Sequence, residues 1–135
     1  MDKIIKLLQG GAVAIGGALG YILGGFDGLL WALLAFVILD YVTGVLVAIA
    51  RKELSSEIGF IGISKKVFIF ILVAIANIID VNILGTGSAV RTATILFYCS
   101  NEGISILENA INLGLKVPKK LRDILIQINN DDNGE

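Results

Sequence analysis

The sequence contains no histidine and a single cysteine, Cys99. Without histidine it lacks the commonest acid–base group and metal ligand available near neutral pH. One cysteine cannot pair within the chain, and neither a zinc site nor a Cys–His nucleophile can be assembled around it. Set in an apolar run, Cys99 reads as a small buried hydrophobe. Charge is scarce too. Asp, Glu, Lys and Arg make up 17% of the residues, against about a quarter in ordinary soluble domains. The net charge is −1, so no basic domain points to nucleic acid. The glycines near the N-terminus are not followed by Gly-Lys-Ser/Thr, so they do not form a phosphate loop. No nucleophile, metal set or phosphate cradle supports the acids. The chain reads as a non-enzyme that needs no cofactor and no metal.

What the sequence does contain is apolar. Of its 135 residues 56% are hydrophobic, and the mean hydropathy is +0.84. The apolar runs are continuous and far longer than the roughly ten-residue alternating strands of a membrane barrel. Inside lipid each backbone group must be satisfied within its own segment, which favours helices. A span needs about 20 apolar residues. The sequence predicts an all-α integral membrane protein with four spans, at about residues 7–26, 29–50, 67–84 and 89–115, and a polar loop over 51–64. The N-terminal Lys3, Lys6 and following apolar stretch imitate a signal peptide. The long glycine-rich run and the absence of a clear cleavage site favour an uncleaved first span.

Basic residues arbitrate the topology, because cytoplasmic flanks are enriched in them. Lys3 and Lys6 precede the first span; Arg51, Lys52, Lys65 and Lys66 lie between the second and third. Lys116, Lys119, Lys120 and Arg122 follow the fourth. Four crossings place ten of the eleven basic residues on one side, with both termini cytoplasmic; three would misplace the last cluster. The chain thus divides into a transmembrane domain over 1–115 and a cytoplasmic amphipathic helix with a polar tail over 116–135. Pro118 suits a first helical position, and Leu121, Ile124, Leu125 and Ile128 recur at helical spacing. That pattern describes an interfacial helix.

Three features could carry function. Ala12, Gly16, Gly20, Gly24 and Gly28 recur every four residues and would share one face of the first span. Small residues let helices approach closely in lipid, either another helix of the chain or a second copy. Asp40 falls near the middle of the second span, where an acid costs about 2.5–3.5 kcal/mol on insertion scales; Gly44 and Ala48 follow on its face. In the fourth segment Asn101, Ser105, Glu108 and Asn112 form a polar stripe, with Glu102 and Asn109 beside it. The stripe reads either as a solvated surface or as the lining of a water-filled path. Asn77 could hydrogen-bond between helices, and Arg91 could pair with Asp80 at the outer boundary.

From Asp40 onwards the sequence resembles a known family. The run Asp40-Tyr41-Val42-Thr43-Gly44, then Arg51-Lys52-Glu53-Leu54-Ser55-Ser56, then Gly62-Ile63-Ser64-Lys65-Lys66, is similar to the bacteriophage holins of the toxin-secretion/phage-lysis family. So is Asn101 to Asn109, followed by Gly114, Val117-Pro118 and Leu121. The resemblance covers roughly residues 35–125 and least involves the glycine-rich first span. It implies a small protein of the bacterial cytoplasmic membrane that assembles as a homo-oligomer. The resulting lesion would let a cell-wall hydrolase, or in clostridial relatives a toxin, leave the cell. Two alternatives remain at this point. One is a small four-helix transporter or channel, a class that also carries a central membrane acid. The other is an antagonist that pairs with a holin and blocks it.

Overall fold

The computed structural model describes residues 1–85 and 87–132, and every regular element among them is helical. Helix α1 runs over Asp2–Ile22, α2 over Gly28–Ala50 and α3 over Ser56–Ile78. A π-helical extension, Ile79–Leu84, continues α3. Helix α4 spans Ala89–Asn112 and α5 spans Lys119–Asp132.

Local chemistry sets these boundaries. Asp27 caps α2 by accepting the Leu30 N–H at 3.0 Å, which satisfies one of the donors left free at a helix start. Ser55 does the same for α3 through the Ile58 N–H, with Glu57 in the first turn, where the helix dipole favours an acid. The expected polar loop over 51–64 therefore shrinks to a turn, and α3 starts eleven residues before the expected third span. Lys65 and Lys66 belong to the helix. Helix α1 stops before the expected residue 26, because Gly24 and Gly25 take φ values of +88° and +98°. Gly24 thus lies in a turn and off the α1 face that carries Gly16 and Gly20. Gly114, at φ +91°, ends the fourth segment just after α4.

The core is formed by α2, α3 and α4, where Leu30, Leu33, Val37, Ile69, Val73, Ile95 and Cys99 pack together. Among the described residues none of α1 is buried. No described atom lies within 4 Å of a Cβ built on Gly16 or Gly20. Three helices are long and apolar enough to cross a membrane: Asp2–Ile22, Gly28–Ala50 and α3 with its extension, Ser56–Leu84. Helix α4 does not meet that measure, since one side of it is polar.

Helix α5 departs furthest from expectation. It lies antiparallel on α4, with Leu125 buried against Gly103 and Asn129 reaching Ser100. The helix also runs on through Asn129, Asn130 and Asp131, part of the expected polar tail. Residues 133–135, the end of that tail, lie outside the described residues.

Candidate functional site: two buried polar clusters

The first cluster sits where α2, α3 and α4 meet. Lys66 Nζ donates to Asp40 Oδ2 and to Glu102 Oε2, each at 2.7 Å. The Lys66, Asp40 and Glu102 side chains are only 17%, 12% and 11% exposed. An ion pair this far from solvent must satisfy its remaining polar atoms to offset desolvation. Asn109 supplies part of that, donating to Asp40 Oδ1 at 3.2 Å and to Thr43 Oγ1 at 2.8 Å. Gly44 faces this contact, and a Cβ there would lie at an ordinary van der Waals distance, 3.9 Å, from Asn109 Nδ2. A cleft of about 300 Å³ runs from Asp40, Lys66, Ser105 and Asn109 past Gly44 and Ala48 to Glu53 and Ser55 at the α2–α3 turn. One ammonium facing two carboxylates ties three helices together in one register.

The second cluster lies at the opposite end of α2. Arg91, 4% exposed, reaches Asp27 with two bonds, Nη1 to Oδ2 at 2.8 Å and Nη2 to Oδ1 at 3.2 Å. Its Nε donates to the Leu23 carbonyl at 2.6 Å and its Nη2 to the Gly25 carbonyl at 2.9 Å. The planar guanidinium suits such a multi-acceptor cradle. Asn77 adds a bond to the Ile22 carbonyl at 3.0 Å. The hydrogen bonds from Arg91 hold the Asp27 carboxyl below the ordinary carboxylate range. Arg91 and Asn77 therefore clamp the α1–α2 link, while the rest of α1 is uncovered.

Arg91 and Asp80 do not pair through their side chains as expected. Asp80 is fully buried and accepts the backbone N–H groups of Val90 and Arg91 at 3.0 and 2.7 Å. It caps α4 from across the turn, which leaves the guanidinium free to turn towards Asp27.

The comparisons with known proteins bear on what these clusters serve. The model of the bacteriophage holin family matches residues 17–130. The chain belongs to the bacteriophage holin family. Among its relatives is a probable holin of Bacillus phage phi105, 39% identical over 101 residues, which cover 75% of this chain and 74% of the relative. An uncharacterised protein of Listeria innocua is 45% identical over 93% of this chain and 87% of its own length. A 14.9 kDa protein of Clostridium perfringens is 43% identical over 96% and 98%. No solved structure matches the chain.

In this holin-family chain the expected site residues divide into separate groups. Asp40, Glu102, Ser105, Gly44 and Ala48 meet around the triad or its cleft. Arg91, Asn77 and Gly24 meet at the clamp; a Cβ on Gly24 would lie 2.5 Å from Asn77 Oδ1 and 2.6 Å from Arg91 Nε. Asn101 is half-buried, and Glu108 and Asn112 are exposed. Asn112 accepts from Arg51 Nη2 at 3.3 Å. Ala12, Gly16 and Gly20 remain on the open face of α1. The expected stripe of α4 is thus split, with its inward edge used within the chain and its outward edge open. Sequence reasoning missed Lys66 and Asp27 as site residues. Ser55 followed by Glu57 is the helix-start signal that could have placed Lys66 inside α3, three turns on.

Proposed function

We propose that this chain acts as a holin of the bacterial cytoplasmic membrane, oligomerising into a lesion that releases a cell-wall hydrolase or a toxin. Family membership and the phage relative support the holin role. The observation that carries the assembly is α1: an apolar 21-residue helix with none of its side chains buried. A helix with so little packing in its own chain has its face, including Ala12, Gly16 and Gly20, available to a second copy. In lipid that association is driven by packing of small residues and not by the hydrophobic effect.

In this reading the chain crosses four times, and residues 116–135 follow the fourth crossing from the cytoplasmic side, where the N-terminus also lies. Helix α4 is the polar crossing. Its Glu102, Ser105 and Asn109 turn towards α2 and α3, which makes a fourth span tolerable in lipid. The clamp at Asp27 and Arg91 marks the outer boundary. Thirteen residues separate Asp27 from Asp40 on α2, about 20 Å of helix. The hydrocarbon core is about 30 Å thick, so the triad sits within it and holds the register of the bundle during assembly. Asn101, Glu108 and Asn112 add polar surface for a water-filled side.

Purified chain reconstituted into vesicles tests this reading. Release of an entrapped protein of hydrolase size, rising steeply with protein-to-lipid ratio, is the expected result. Vesicles that retain the protein at every ratio would count against it.

A further inference from the structure

Helix α5 is packed where a freely floating surface helix would not be. Leu125, 8% exposed, seats on Gly103. A Cβ there would lie 2.9 Å from Leu125 Cδ2, so a side chain on Gly103 would displace the leucine from its present seat. One turn on, Ser100 Oγ lies 3.3 Å from Asn129 Oδ1. These contacts carry α5 back along α4, from its C-terminal end to Ser100. Asn112 to Ser100 is twelve residues, about 18 Å. Ser100 is within a turn of Glu102, so α5 reaches the depth of the Lys66 triad.

At that same depth the molecule has two unlike surfaces. Helices α2 and α3 expose Leu39, Val42, Ile63 and Val67, each about half exposed. Helix α5, whose flanks expose Leu121, Ile124 and Ile126, also exposes Lys120, Asp123, Gln127 and Asn130, at steps of three, four and three. Those steps place them on one helix face, opposite Leu125 and Asn129. The two surfaces cannot share one solvent. Charged groups facing hydrocarbon cost about 2.5–3.5 kcal/mol each on insertion scales, while a broad apolar face in water would be an aggregation surface.

We propose that α5, docked on α4, is the water-facing wall of the assembled lesion. Lys120, Asp123, Gln127 and Asn130 meet its aqueous interior, while α2 and α3 meet lipid at the same depth. The inference rests on the holin reading above. It moves the main water-facing role from the α4 stripe, whose inner edge is used against α2 and α3, to the C-terminal helix.

The test pairs Ser100→Cys with Asn129→Cys in a Cys99→Ala background, in vesicles loaded with an entrapped protein. Oxidation should form the intramolecular disulfide in the releasing population and leave release unchanged. Loss of release on oxidation, restored by reduction, would overturn the proposal and make α5 a strap that must leave. Failure of the pair to crosslink in releasing vesicles would overturn it too. Absence of release from the reduced protein would instead sink the holin reading, and the proposal with it. A second arm uses the uncrosslinked chain. Asp123→Leu with Gln127→Leu should lose release without losing membrane incorporation, whereas Asp123→Asn with Gln127→Glu should keep it. Full release by the leucine variant would contradict a water-facing role.

Discussion

Lys66 stands 2.7 Å from Glu102, across the α3–α4 interface, and it bonds Asp40 on α2 at the same distance. Removing the ammonium would leave two acids facing each other where solvent barely reaches. Breaking a buried ion pair by deleting one partner costs about 3–5 kcal/mol. Lys66→Met should therefore lower the unfolding midpoint in detergent sharply and reduce accumulation in membranes. Adding Asp40→Asn and Glu102→Gln to Lys66→Met should restore much of the loss, because no unpaired charge remains. A single Lys66→Met variant as stable as the parent would show that the triad contributes nothing to the fold.

The clamp makes a separate prediction. Arg91→Leu leaves the half-buried carbonyls of Leu23 and Gly25 without their donor, while the exposed Asp27 carboxylate keeps only the Leu30 N–H. An acceptor so stranded costs about 1–3 kcal/mol when fully buried. Hydrogen exchange over residues 22–27 should rise strongly, with little change in the α2–α4 core. Asp27→Asn should act in the same direction but less, since Asp27 is 48% exposed and its ion pair is screened. Unchanged exchange in Arg91→Leu would contradict the clamp.

Acid should loosen the same link. The Asp27 carboxyl is held below its ordinary value by Arg91. A depressed folded value means the contribution is complete above the unfolded carboxyl range, about pH 4, and is lost as pH falls through the lower folded value. Exchange protection of residues 22–27 should be flat from neutral pH to about pH 4 and fall below it. Asp27→Asn should remove that step. A step that persists in the asparagine variant would assign it to another group.

The two kinds of glycine should behave differently. Gly24→Ala meets Asn77 and Arg91 at a backbone φ of +88°, so it should destabilise the isolated chain. A Cβ on Gly20 meets no described atom within 4 Å, and Gly20→Leu should leave the chain's own stability unchanged. If the face of Ala12, Gly16 and Gly20 contacts another copy, Gly20→Leu should reduce crosslinked oligomers by overfilling the gap. Normal oligomers in that variant would reduce the ladder to composition.

Much of this architecture was legible in the sequence, and the misses share a cause. Hydropathy found α1, α2 and the apolar part of α3, because long apolar runs have few alternative uses. It hid the first three turns of α3, where Glu57, Ser64, Lys65 and Lys66 dilute the signal. Lys66 was therefore read as a marker of the cytoplasmic side when its ammonium joins the acids of two other helices. Asp40 and Glu102 were recognisable singly as costly polar groups, but their shared cation came from a third helix. The Arg91–Asp80 expectation failed because the acid went to backbone donors, which charge pairing does not anticipate. The docking of α5 places Leu125 on Gly103, and periodicity does not report where a partner helix seats.

Co-expression with a cell-wall hydrolase lacking a signal peptide tests whether this chain opens the membrane to a protein-sized cargo. Culture turbidity and membrane potential would be followed after induction of the chain, the hydrolase, or both. Growth with the hydrolase alone, and loss of potential followed by abrupt lysis with both, are the expected results. Cultures that express both, hold their potential and keep growing would contradict the holin reading.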